Sequence, residues 1–263
     1  MYAAHPSHAQ RCVNPPTPIH DGSLVNILNN GKFFDDATMA LAQGLLEGGA
    51  SYCINYPGFK SHEIVEAVKF LASTFKFSTA ADATAVAAPF VNDGMALNEK
   101  VAYEMCFGAS LAGRRSLVTM KNFGMSVAAD PFLNSLLTGV NAGIVLCVTD
   151  DMEVCGSQGQ LDSRTFREFY GGLWFEPATP QNAYTFGRMA FNLSEKLDVP
   201  VVIRLTNNFF QCEDSCVTTD KDVLSFHPTV EKKDYLNKFV VHPSTWKKQA
   251  ENLEKKNFEF RSG

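Results

Sequence analysis

Glu99 lies in the run Ala96-Leu97-Asn98-Glu99-Lys100-Val101-Ala102, where an apolar approach ends and a helical pattern begins. A carboxylate at such a junction has two uses. It can hydrogen-bond a ring nitrogen of a bound heterocycle and so set the tautomer of that ring. It can also be an ordinary first-turn glutamate, favoured by the positive end of the helix dipole. Tyr56-Pro57-Gly58 and Thr119-Met120-Lys121-Asn122-Phe123-Gly124 are the other two segments of the same kind. Lys121 and the later Asp162-Ser163-Arg164 place cations after strand-like runs. A cation there can pair with a ligand carboxylate or with a neighbouring loop acid.

The elements that must hold these residues follow from periodicity. Ala37 to Glu47 is dense in Ala, Leu and Met, with Asp35 or Asp36 before it as a cap, and Gly48-Gly49 stops it. Ser51 to Tyr56 reads as a short strand. Ser61 can cap a helix whose apolar positions are Ile64, Val65, Val68, Leu71 and Ala72. Ser78 to Pro89 is small and Ala-rich, a short helix or an insertion, and Phe90 to Met95 leads to Glu99. The helix from Glu99 ends at Gly113. Leu117 to Met120 is a strand, and Phe123 to Leu137 is helical with a break near Pro131.

Gly143 to Thr149 is a continuous apolar strand, as expected where a parallel sheet is covered on both faces. Asp150 to Asp162 is a polar loop before a helix reaching Phe169. Leu173 to Phe175 is a brief strand, Pro180 or Gln181 opens a helix through Glu195, and Val201 to Leu205 is another buried strand. This alternation predicts an α/β domain, a mainly parallel sheet with helices on both faces, over residues 34–212. An irregular arm (1–33) precedes it. A charged extension (213–263) follows, with a Lys/Glu-rich helix within Val241 to Asn257.

The core, from about Phe34 to Cys212, resembles the pyrimidine-binding domain of thiamine-diphosphate-dependent 2-oxoacid:ferredoxin oxidoreductases, the indolepyruvate type above all. The matching words are Tyr56-Pro57-Gly58 with Ser61 and Glu63; Asn98 to Ala102; Gly108-Ala109-Ser110 with Ala112-Gly113; and Thr119-Met120-Lys121. Ala129-Asp130-Pro131, Asp150-Asp151, Ser157-Gln158, Asp162-Ser163-Arg164 and Glu176-Pro177 complete the set. Each word is weak alone; their order and spacing together are specific.

The resemblance implies that Glu99 bonds the pyrimidine N1′ of thiamine diphosphate. It thereby favours the imino tautomer whose nitrogen takes the thiazolium C2 proton, so that a 2-oxoacid is decarboxylated with the cofactor as electron sink. Tyr56, Pro57, Gly58 and Asn122 would bind cofactor. Phe59, Lys60, His62, Lys121, Cys155, Gln158 and Arg164 would face substrate.

The sequence also departs from the family. Phe59-Lys60-Ser61-His62 stands where Thr-Pro-Ser-Ser is usual, so a threonine hydroxyl expected on the substrate carboxylate is replaced by Phe59. Cys155-Gly156-Ser157-Gln158-Gly159-Gln160-Leu161 replaces His-Ser-Ser-Gln-Asn-Glu-Gln. Lys60 and His62 could read an extra acidic group or point to solvent. The diphosphate-binding word Gly-Asp-Gly followed by a distant Asn is not present; Asn92-Asp93-Gly94 lies too close to Glu99. The resemblance therefore implies half an active site, in a hetero-oligomer whose partner chain holds the diphosphate through Mg2+. Iron–sulfur clusters are expected outside this chain.

Composition narrows the alternatives. The formal net charge of −5 favours neither nucleic acid nor an anionic membrane. No apolar run approaches the ~18 residues of a membrane span, and no secretory signal opens the chain. Seven scattered cysteines read as reduced thiols of a cytoplasmic protein, and Cys212-x3-Cys216 lacks the companions of a ferredoxin-type cluster. Two further readings stand beside the oxidoreductase. One is a two-subunit, non-redox thiamine-diphosphate decarboxylase or carboligase; the other is a non-catalytic subunit kept for assembly.

Overall fold

The computed structural model describes residues 32–74 and 92–217, with four further helical positions at Lys247, Ala250, Glu251 and Glu254. The expectations for 1–31, for Ser78 to Pro89 and for most of the late charged helix fall outside the described residues.

Strand β1 (Lys32–Asp36) leads into helix α1 (Ala37–Glu47), β2 (Tyr52–Asn55) and α2 (Ser61–Thr74). β3 (Asn92–Met95), α3 (Glu99–Leu111), β4 (Ser116–Lys121), α4 (Asn122–Val127) and α5 (Ala129–Thr138) follow. The chain continues through β5 (Ile144–Asp150), α6 (Arg164–Tyr170), β6 (Leu173–Phe175), α7 (Pro180–Leu197), β7 (Val201–Thr206), α8 (Asn207–Phe210) and β8 (Glu213–Val217). Six strands form one sheet in the order β3-β2-β4-β5-β7-β6, and every pairing in it is parallel. The α/β expectation is borne out, in a fully parallel form.

Burial follows from this topology. All seven residues of β5 are buried, because helices cover both faces of a central parallel strand. On one face Leu117, Val145, Cys147 and Ile203 pack with α1, α2 and α7. On the other, Val118, Met120, Leu146 and Val202 pack with Tyr103 of α3, Met125 of α4, Phe132 of α5 and Tyr170 of α6. Helix α1 is buried from Ala37 to Leu46, since it crosses α7 at glycine contacts. A Cβ on Gly44 would collide with the Tyr184 carbonyl, and one on Gly187 would fall 2.9 Å from the Leu41 oxygen. At the amino edge of the sheet, Arg115 is 8% exposed. Its guanidinium bonds both carboxylate oxygens of Glu195 and the Gly48 carbonyl, tying β4 to α7 and to the turn after α1.

Four observations differ from the sequence expectation. First, β1 and β8 pair antiparallel in a separate ribbon, from Lys32↔Val217 to Asp36↔Glu213. Those segments carry no alternating apolar pattern, and Asp35 and Asp36 lie in β1. Second, the approach to Glu99, where no element is expected from the sequence, contains edge strand β3, where pairing with β2 overrides weak propensity. Third, the helix expected to break near Pro131 breaks at Ala128 instead. Pro131 is the third residue of α5, where no intrahelical amide donor is required. Fourth, Cys155 is disulfide-bonded, which corrects the expectation of seven reduced thiols. It stands in a partly exposed loop, where another sulfur can reach it; Cys53, Cys106 and Cys147 are free and walled into the core. Among the described residues no helix is long and apolar enough to cross a membrane.

Candidate active site

The strand order reverses direction at two places, β3 and β6, and the first lies beside Glu99. From β2 the chain crosses to the edge at β3, then returns past β2 to β4. Open α/β sheets hold ligands at the carboxyl ends of strands beside such a switch. Tyr56-Pro57-Gly58 leaves β2 there, Asn98-Glu99 leaves β3, and Lys121-Asn122 leaves β4.

Ser61 builds the first of these turns. Its hydroxyl donates to the Tyr56 carbonyl and accepts from the Gly58 amide, each at 3.2 Å, so the turn is held at the start of α2. Glycine at 58 is required by a close approach: a Cβ would lie 2.8 Å from Cγ and Cδ of Lys121. The alkyl stem of Lys121 therefore runs along the turn. Its ammonium donates to Oε1 of Gln158 and stands 5.4 Å from the Phe123 ring centroid.

Glu99 is the first residue of α3 and is 8% exposed. Asn98 caps that helix, accepting from the Val101 amide at 2.9 Å. The Glu99 side chain lies against Gly124 of α4, where a Cβ would fall 2.5 Å from its Cγ and 2.8 Å from Oε1. Among the described residues, no hydrogen-bond donor or cation reaches its carboxylate. Asn122 is fully buried: its amide nitrogen donates to the Leu161 carbonyl at 2.7 Å, and its Oδ1 accepts from the Phe123 amide. Strand parity separates two groups. Thr119 and Lys121 share the face of β4 that Leu117 gives to the α1–α2–α7 core, whereas Gly124 and Glu99 adjoin the core holding Tyr103 and Met125. The two groups flank the sheet edge at the switch.

The remaining expected residues divide. Phe59 is brought to the carboxyl edge: Thr149 Oγ1 donates to its carbonyl at 2.6 Å, its ring meets Phe210 edge-on at 5.9 Å, and a Cβ on Gly156 would touch it at 3.4 Å. Lys60 has a left-handed backbone, φ 53°, and its ammonium stands 5.3 Å from the Phe210 centroid and 3.7 Å from Glu63. His62 is exposed on α2. The Cys155 amide donates to Asp151 Oδ1 at 2.9 Å. Arg164 forks onto the Asp162 carboxylate and is largely exposed.

Two acids and one base under the 151–163 loop were not singled out from the sequence as a unit. Asp151 accepts from the Cys155 and Gly156 amides and from the Asn207 side chain. Burial pushes its pKa up, but these hydrogen bonds outweigh burial and hold it below the usual carboxylate range. Asp150 accepts from the Ser163 amide at 2.9 Å and from Arg204 at 2.7 Å. Here burial dominates, and the carboxyl is raised. Arg204, 3% exposed on β7, also meets Glu176 at 2.7 Å and Asp162 at 3.4 Å. The signal in the sequence was a charge inside a strand buried on both faces, which must find partners.

No family model matches the chain. It is 35% identical over 177 residues to indolepyruvate oxidoreductase subunit IorA of Archaeoglobus fulgidus, a match covering 66% of this chain and 26% of that protein. The chain resembles IorA. IorA of Thermococcus kodakarensis is 34% identical over 171 residues, covering 64% of this chain and 24% of that protein. IorA of Methanothermobacter marburgensis is 32% identical over 190 residues, covering 70% and 28%. The resemblance read from the motifs is thus borne out, and the chain spans about a quarter of the length of the IorA sequences it matches.

Two solved structures share the fold. The 2-oxoglutarate:ferredoxin oxidoreductase from Magnetococcus marinus, with 2-oxoglutarate, coenzyme A and succinyl-CoA bound, aligns with a TM-score of 0.62 at 12% identity. It covers 88% of this chain and 45% of its own. The thiamine diphosphate-dependent 4-hydroxybenzoylformate decarboxylase from Rhodococcus jostii RHA1 aligns with a TM-score of 0.52, also at 12% identity, covering 72% and 34%.

Proposed function

We propose that this chain is the pyrimidine-domain component of a thiamine-diphosphate-dependent 2-oxoacid oxidoreductase, with Glu99 as the carboxylate that activates the cofactor. One observation carries the reading. Glu99 is a sheltered carboxylate at the topological switch, free of donors among the described residues, with its side chain seated in the space that Gly124 leaves. That is the fit an aminopyrimidine requires: a flat heterocycle whose protonated ring nitrogen donates the hydrogen bond the carboxylate lacks. When bound, thiamine diphosphate supplies the electron sink for loss of carbon dioxide from a 2-oxoacid.

The chain's own residues do the rest. Glu99 holds or shares a proton with the ring nitrogen. The Tyr56-Pro57-Gly58 turn holds the ring, and Asn122, buried and bonded to the Leu161 carbonyl, fixes the start of α4 behind it. Lys121, kept in place by Gln158 and the Phe123 ring, offers a positive charge to a substrate carboxylate. Phe59 replaces a hydroxyl with an aromatic wall. A partner chain grips the diphosphate through Mg2+.

Glu99→Gln tests the reading. In the complex assembled with its diphosphate-binding partner, the variant is expected to lose at least ~100-fold in kcat while secondary structure and assembly stay unchanged. Turnover equal to that of the unmodified complex would leave an assembly role in place of catalysis.

A further inference from the structure

We infer that Arg204 is a positioning residue, the anchor on which both ends of the 151–163 loop are fixed, and that through this loop it sets the Lys121–Gln158 pair. The inference rests on the reading of that pair as the place that meets the substrate carboxylate.

The geometry is a single buried guanidinium with contacts at four places in the chain. Its Nε donates to Asp150 at the end of β5, at 2.7 Å. One terminal nitrogen reaches Glu176, just past β6, at 2.7 Å. The other faces the sulfur of Met152 at the start of the loop, at 3.7 Å, and Asp162 at its end, at 3.4 Å. The Asp150 oxygen that takes Arg204 also takes the Ser163 amide. Met152 and Asp162, near the two ends of the loop, are therefore drawn onto one cation, which fixes the span between them as a compact closed loop. The middle of that span carries Gln158, the acceptor for Lys121, and Leu161, whose carbonyl takes the Asn122 amide. The words Asp150-Asp151, Asp162-Ser163-Arg164 and Glu176-Pro177, separate in the sequence, thus converge on one residue.

Arg204 is too buried and too engaged to meet a ligand itself, so its effect passes through the loop. A lysine keeps the charge but replaces a planar fork, able to serve three carboxylates, by a single ammonium. Hydrogen exchange read by mass spectrometry on the full chain tests the anchor. Arg204→Lys is expected to speed exchange of the 152–163 segment by about tenfold or more, with β4 and β5 unchanged. Asp162→Ala, at a partly exposed position, should do the same where Arg204→Lys fails to fold. Arg164→Ala removes the other partner of Asp162 without touching Arg204, and should leave the segment protected. Unchanged protection in both Arg204→Lys and Asp162→Ala overturns the inference, as does equal loss in Arg164→Ala.

In the assembled complex, Arg204→Lys should raise KM for the 2-oxoacid severalfold with a smaller change in kcat, and should add little in a Gln158→Ala background. Full additivity overturns the route through Gln158. Faster loop exchange with a KM that Gln158→Ala leaves untouched keeps the anchor and rejects the substrate role of the pair.

Discussion

A carboxylate and a glycine carry the proposed chemistry at the scale of single residues. Gly124 has no Cβ because Glu99 occupies its place: the added atom would stand 2.5 Å from Cγ and 2.8 Å from Oε1. Gly124→Ala must therefore displace the carboxylate, at a cost of ~1–3 kcal/mol in stability from overpacking. A displacement near 1 Å at a reacting group lowers rate about 100-fold. We expect kcat to fall by about that factor in the assembled complex with only a small drop in thermal midpoint; steady-state kinetics beside calorimetry reads both. Full activity would show that Gly124 does not fix Glu99. This pairing was half legible in the sequence. Glu99 announced itself by its place before a helix, and Gly124 stood in a motif already singled out, but their contact joins α3 to α4 and no spacing rule predicts it. Arg204 was less legible still, since a lone charge in Val201-Val202-Ile203-Arg204-Leu205 announces a need for partners without saying which.

Periodicity governs at the scale of elements, and it fails where an element is held by tertiary pairing. The apolar runs of β5 and β7 and the helical spacing of α2 and α7 were plain because each has a face to bury. β1, β3 and β8 have weak strand patterns and exist through their pairing partners. The 151–163 loop has no periodicity at all, and charged contacts give it form. Asp162 shows the consequence for pH. The hydrogen bond from Arg164 holds its carboxyl down, against a smaller opposing effect of burial, at about 2. A carboxylate with a depressed folded pKa contributes stability that is fully present above its unfolded value of ~3.9 and is lost as pH falls through the folded value. The contribution of Asp162 should therefore disappear between about pH 4 and pH 2. Urea midpoints of the native chain and of Asp162→Asn are expected to differ at pH 5 and to converge at pH 2. A gap of equal size at both pH values would show that the side chain acts by packing, not by charge.

On the scale of the whole molecule, the surface beside Glu99 bears on the proposed partnership. Met95 and Leu97, on the approach to the carboxylate, are 72% and 88% exposed, and Met105 of α3 is also exposed. Large apolar side chains gathered around a reactive group mark a face that binds. The proposed diphosphate-binding chain is the occupant that would also complete the site, which makes activity and assembly two readings of one contact. The chain alone is then expected to show no decarboxylation of 2-oxoacids with thiamine diphosphate and Mg2+ supplied, and the assembled complex to show it. If the complex is an oxidoreductase, acyl-CoA forms only with both coenzyme A and a low-potential electron acceptor, because the two electrons left after decarboxylation must go to an acceptor before the acyl group can be transferred. Aldehyde release with neither present would replace the oxidoreductase by a non-redox decarboxylase while leaving Glu99 in its role. Turnover by the isolated chain would reject the divided site itself, since one polypeptide would then hold both ends of the cofactor.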